Sequence, residues 1–234
     1  MALPKLETPT HELVLPSTNK KIKFRPFLVK EQKILYMAQN AKNEREMSDT
    51  IGKLVSNCTF GEVNPDIAPM FDIEYIFIKL RSKSVGEIID ISVLCPDDNK
   101  TRVPVKINLE NIDVQMTTGH SNEIEISKNM KLVLRYPVLG DMKSVKGENE
   151  IDRVFNILVK CIHEVHHGDK IYNAVDVTEK DLETFIEQMT TAQLKLIIDF
   201  FDTMPKLRHV IQVTNPNTKK KGEVVVEGLQ NFLG

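Results

Sequence analysis

The sequence predicts an α+β fold of two similar lobes, each pairing helices with a β-hairpin, with a further hairpin at the N-terminus. Three observations carry this prediction. Stretches with apolar residues at helical spacing alternate with stretches of strict two-residue alternation. Polar segments rich in Pro, Asn, Asp and Lys separate paired alternations, as hairpin turns require. Sliding the sequence over itself by 120 residues superposes two of the hairpins without a gap. With 234 residues, 41% of them hydrophobic and 27% charged, the chain can bury one large or two small cores. The repeat sets the expected lobes at residues 1–115 and 116–234.

In chain order, apolar residues at 13–15 and 22–24 flank the polar run 16–21 and read as a hairpin. Residues 29–38 and 44–55 follow at helical spacing through Ile34, Leu35 and Ala38, then Met47, Ile51, Leu54 and Val55. Residues 71–84 form a third expected helix, with Asp72 and Glu74 early and Lys79, Arg81 and Lys83 late, an order that complements the helix dipole. Ile89, Ile91 and Val93 then alternate with polar residues, turn through 95–100 and return over 103–109 as a hairpin. Residues 123–126 and 131–136 are further strand candidates. Helical spacing resumes over 149–163, 178–189 and 192–201, with Thr178 and Asp181 forming a capping-box pattern and Thr191 as the expected cap of the last helix. The final hairpin runs over 209–213 and 224–226 around the turn 215–222.

The 120-residue offset lays Ile91 on Ile211, Val93 on Val213, Pro96 on Pro216, Val105 on Val225 and Leu109 on Leu229. An internal duplication is the preferred account; two ordinary hairpins matched by chance are the alternative.

Composition excludes several classes. Thirty-one Lys and Arg against 33 Asp and Glu leave a net charge of −2, without the basic field that neutralises phosphates, so nucleic acid is not an expected partner. No window approaches the roughly 18 consecutive apolar residues of a membrane span, and the N-terminus lacks an apolar leader, so no membrane partner and a cytoplasmic location are expected. Cys58, Cys95 and Cys161 read as free thiols of a reducing compartment.

One motif points to chemistry. His163-Glu164-Val165-His166-His167 satisfies H-E-x-x-H, which on a helix sets two imidazoles one turn apart to hold zinc while the Glu activates water. Here it falls at the end of an expected helix, just before Gly168-Asp169, and no recognisable third ligand accompanies it. His163 and His167 are thus the metal candidates of an alternative reading as a zinc-dependent hydrolase, and no catalytic or cofactor-binding residue is otherwise expected. Cys95-Pro96 resembles half of a zinc knuckle but lacks a second Cys. Lys219-Lys220-Lys221 reads as a solvated turn. No phosphate loop, dinucleotide fingerprint or nucleophile elbow is present. The apolar residues Phe200, Phe201, Leu229 and Phe232 are candidates for a partner anchor, with closure of the second lobe's core as the reading favoured a priori.

Several stretches resemble one family. They are Leu3-Pro-Lys-Leu-Glu-Thr-Pro-Thr10, Arg25-Pro-Phe-Leu-Val-Lys30, Phe71-Asp-Ile-Glu-Tyr75, Leu80-Arg-Ser-Lys-Ser-Val-Gly86, Phe200-Phe-Asp-Thr-Met-Pro-Lys-Leu-Arg208 and Glu227-Gly-Leu-Gln-Asn-Phe232. These are similar to the baseplate-hub subunit and hub-assembly proteins of T-even-like contractile-tailed bacteriophages. The resemblance implies a non-enzymatic viral protein that binds other hub or tail proteins during baseplate assembly in the host cytoplasm, as a subunit of the virion tail or as a chaperone. It implies no cofactor. Some members carry Cys-Pro-x-Cys pairs in the two hairpin turns; this chain keeps only Cys95, so hairpin packing must hold the turns instead. Hub symmetry is compatible with a homo-oligomer, though no heptad requires one. Hairpin edges and the Pro-rich N-terminus, including Pro4 and Leu6, offer routes for strand addition to a partner.

Overall fold

The computed structural model describes residues 6–39, 44–145 and 149–232. Along the chain run β1 (His11–Val14), β2 (Lys21–Phe24), α1 (Val29–Gln39), α2 (Glu44–Cys58), α3 (Met70–Val85), β3 (Ile88–Leu94), β4 (Arg102–Asn108) and β5 (Val114–Gln115). Then follow β6 (Glu123–Ser127), β7 (Met130–Leu134), α4 (Leu139–Ser144), α5 (Glu150–Lys160), β8 (Ile162–His167) and β9 (Lys170–Asn173). The chain closes with α6 (Glu179–Glu187), α7 (Thr191–Thr203), β10 (Lys206–Thr214) and β11 (Lys221–Glu227). Mixed helix and sheet with an N-terminal hairpin is the class the sequence predicts.

Two compact units divide these elements. One comprises residues up to Gln115 together with those from Lys206 onward; the other is the contiguous stretch Met116–Pro205. Against lobes expected at 1–115 and 116–234, the last hairpin falls within the first unit. It joins the first unit because Leu207, Ile211, Val213, Val226, Leu229 and Phe232 are buried in the same cluster as α3 and the β3–β4 hairpin. Local periodicity reports a strand's buried face and not what covers it.

In the first unit, α3 is the central element. Phe71, Ile73, Ile76, Phe77, Ile78 and Leu80 are all buried, so nearly its whole circumference is covered, and Phe77→Ala would cost roughly 3–5 kcal/mol. Gly86, at φ +134°, ends the helix and donates its N–H to the Ser82 carbonyl. The hairpins β1–β2 and β3–β4 are separate two-stranded antiparallel ladders, whereas β10 is flanked by β11 and β5. Ile91 lies opposite Val105, while Ile211 lies opposite Val224 and not Val225. The two hairpins therefore match through the first strand but need a one-residue gap in the second, because the Cys95 N–H reaches Thr101 across its turn and the Asn215 N–H reaches Lys220, one residue sooner.

In the second unit, β6-β7-β8-β9 form a four-stranded antiparallel sheet whose apolar face packs on α5, α6 and α7 through Leu132, Leu134, Leu158, Val165, Ile186 and Ile197. Asn149 caps α5, and Thr178 with Asp181 forms the expected capping box of α6. The cap of α7 is Thr190, paired with Gln193, one residue before the expected Thr191.

Candidate functional site

The two units share one local arrangement. In the first, β2 ends on Arg25, whose N–H donates to the carbonyl of Cys58 at the end of α2. Its guanidinium meets Glu31, six residues on, at 2.9 and 3.4 Å, donates to the Pro26 carbonyl at 3.0 Å and lies 3.7 Å from the Cys58 sulfur. Glu31 also accepts the Leu28 N–H at 2.8 Å, capping the start of α1. In the second, β7 ends on Arg135, whose N–H donates to Cys161 at the end of α5. Its guanidinium meets Asp141, again six residues on, with two bonds of 2.7 Å, and Asp141 accepts the Val138 N–H at 2.9 Å. Burial pushes Glu31 up, yet Arg25 and the Leu28 N–H hold its carboxyl below the usual range. Both thiols sit in apolar surroundings that push them up, Cys58 to about 11 and Cys161 to about 12, so neither is a reactive thiolate near neutral pH. Sequence reasoning missed these pairs, although an arginine followed six residues later by an acid was readable in both halves.

A second constellation joins the turns of β3–β4 and β10–β11. Asn215, 1% exposed, donates to Asp97 and Asp98, each at 2.9 Å. The Thr218 hydroxyl donates to Asp97 at 2.5 Å, and the Asn217 amide donates to Thr101 at 3.1 Å. Asp98 accepts the Thr101 hydroxyl and the Thr101 and Lys100 N–H groups, which hold its carboxyl well below the usual range. The Pro96 ring packs on Gly222 so closely that an added Cβ would come within 2.5 Å of it. Side-chain hydrogen bonds and this ring contact tie the two turns together.

The residues singled out for metal chemistry are not brought together. Residues 162–167 are the strand β8 and not the end of a helix: Gly168, at φ +59°, is the first central residue of a two-residue hairpin turn that pairs His167 with Lys170. What reads as a helix stop is a hairpin turn. Along a strand, His163 and His167 stand roughly 13 Å apart, too far to share an ion. Glu164 instead meets His166 at 2.6 Å and His163 at 3.6 Å. Among the described residues no group of three His, Cys, Asp or Glu side chains is placed to hold a metal.

Of the two readings of the apolar anchor residues, three of the four follow core closure. Phe200, Leu229 and Phe232 are buried, so they close cores and present nothing to solvent. Phe200 stacks on Tyr136 and meets Phe201, itself half-buried, edge-on at 4.9 Å. Leu229 and Phe232 sit in a 3₁₀ turn whose Leu229 N–H donates to Glu74 of α3 at 3.3 Å. Leu6 is almost fully exposed, and Pro4 lies outside the described residues.

What the surface offers is strand edges. β9 is exposed at all four residues, Ile171 and Tyr172 included, and closes one side of its sheet. Among the described residues the outer side of β2 likewise pairs with no strand. A model of one protein family, described as T4 bacteriophage base plate protein, matches residues 8–234. The chain belongs to that family. This baseplate protein matches no curated protein and no solved structure. Among its described residues no helix is long and apolar enough to cross a membrane. A baseplate component of the phage tail is consistent with what the geometry offers, two buried cores and open strand edges.

Proposed function

We propose that this baseplate protein is a hub subunit or hub-assembly chaperone that works by binding other tail proteins in the host cytoplasm, without catalysis of its own. The family match over residues 8–234 carries the reading. The exposed strand β9 and the unpaired side of β2 support it, because an extended segment of a partner can add to such an edge through main-chain hydrogen bonds. Affinity capture of the tagged protein from infected cells, with a parallel search for it in purified virions, tests the proposal. Recovery of hub proteins with the bait absent from virions identifies a chaperone, and presence in both identifies a subunit. Recovery of no tail protein would sink the reading.

A further inference from the structure

We infer that the open edge of β2 is a docking site for an extended partner segment in which acidic and apolar residues alternate. The protein contains its own template for this. Arg25, Glu31 and Cys58 repeat the bonding of Arg135, Asp141 and Cys161, and this sets Lys21, Ile22, Lys23 and Phe24 of β2 in the places of Lys131, Leu132, Val133 and Leu134 of β7. β7 is covered on its far side by β8, with His166, Val165, Glu164 and Ile162 opposite those four residues. Among the described residues β2 has no such neighbour. After Cys161 the chain runs straight into β8, but after Cys58 it passes through Phe60 and Gly61, at φ +57° and +77°, and packs Val63 into the core without forming a strand; among the described residues the backbone bonds of residues 59–68 stay within that loop and the end of α2.

The occupant's chemistry follows from the faces of β2. Ile22 and Phe24 point into the core at 1% and 3% exposure, so residues opposite them must be apolar, as Val165 and Ile162 are opposite β7. Lys21 and Lys23 are exposed, with Lys20 beside them, so carboxylates suit the other face. Among the described residues Lys21 is bridged by the exposed Glu12. The strand β6 of a second copy has the required pattern in Glu123, Ile124, Glu125 and Ile126, but its outer edge is engaged: the Gln193 side chain donates to the Ile126 carbonyl at 3.3 Å. A foreign partner is therefore the occupant.

This site rests on the reading of the protein as a partner-binding module, and its test is separable from that reading. The probe is a blocked peptide of residues 121–128, free of the Gln193 contact, added to the full-length protein while amide exchange is followed. Slowed exchange over residues 21–24 is expected, with affinity falling about tenfold in the double variant Lys21→Glu, Lys23→Glu. A peptide with Glu123→Lys and Glu125→Lys should bind that variant better than the wild type, a gain that misfolding cannot produce. Absence of protection, or equal binding of both peptides by both proteins, would overturn the site. Reversible self-association abolished by the double variant would assign β2 to a second copy and overturn the foreign partner. Capture of hub proteins at undiminished yield by the double variant would overturn the site while leaving the assembly role standing.

Discussion

The Arg25 and Arg135 centres follow the same local rule and end in different surroundings. Each arginine closes a hairpin, holds a carboxylate six residues on and bonds a cysteine at a helix end. In the second unit the chain leaves that cysteine directly as a strand, and a hairpin grows into a four-stranded sheet. In the first it leaves through two residues of positive φ, and the hairpin keeps an open side. The exit from the helix decides between a closed sheet and an open edge, while the arginine–carboxylate pair is common to both.

The largest expected effect separates the two centres energetically. Arg25 and Glu31 side chains are 12% and 2% exposed, against 36% and 8% for Arg135 and Asp141. Arg25→Ala leaves the buried Glu31 carboxylate with only the exposed Lys30, at 3.6 Å, and the Leu28 N–H among the described partners, and should cost about 3–5 kcal/mol. Arg135→Ala should cost about 1–3 kcal/mol, since solvent reaches its partner more readily. Urea unfolding of both variants checks this, and equal losses would erase the distinction.

Next comes the way α3 holds the turns that follow β4 and β11. Toward the first, Lys79 donates to the Glu110 carbonyl at 2.8 Å; toward the second, Glu74 accepts the Leu229 N–H. Burial raises Glu74 from 4.5 to about 7, with Glu227 adding to the rise. The folded state thus holds this proton more tightly than the unfolded chain. The resulting stability is fully present below pH 4.5 and is lost as pH rises through 7, a swing of at most about 3 kcal/mol. Glu74→Gln should flatten that slope in melts recorded between pH 4.5 and 8, and an unchanged slope would assign it to another group.

The matched hairpins give the smaller effects. Gly222 pairs with Val213 as Val103 pairs with Val93, and Gly222 lies directly against the Pro96 ring. Gly222→Ala should lose about 1–3 kcal/mol by thermal melt, and Val103→Ala distinctly less. Asn19, Asn99 and Lys219 occupy the same position of positive φ in three turns, at +55°, +52° and +62°. Lysine suits that backbone least, so Lys219→Gly should gain about 0.4–1 kcal/mol.

Much of the fold was legible because its signals are local. Gly86, Asn149 and Thr178 sit where stop and cap chemistry demands, and the alternation over residues 88–94 predicts β3 closely. The failures share a cause. Gly168 ends a helix or turns a hairpin with equal ease, and only β7 and β9 on either side decide for a strand. Likewise, the apolar faces of β10 and β11 are readable, but that they cover residues more than a hundred positions earlier is not. Of the candidate surface, hairpin edges were readable as a class, but which of them stays open was not, because an edge is defined by a strand that fails to arrive.

That the last hairpin belongs to the first unit also bears on synthesis. About 90 residues separate Gln115 from Lys206. At ribosomal rates their translation takes roughly 5–20 seconds, during which α3, β3 and β4 lack the cover that β10 and β11 supply. Residues 116–205, contiguous in the chain, have no such wait. The middle of the nascent protein is free to fold before its beginning does, and a message cut short before codon 206 would release a chain with a finished centre and an open core, a natural substrate for the host's proteases.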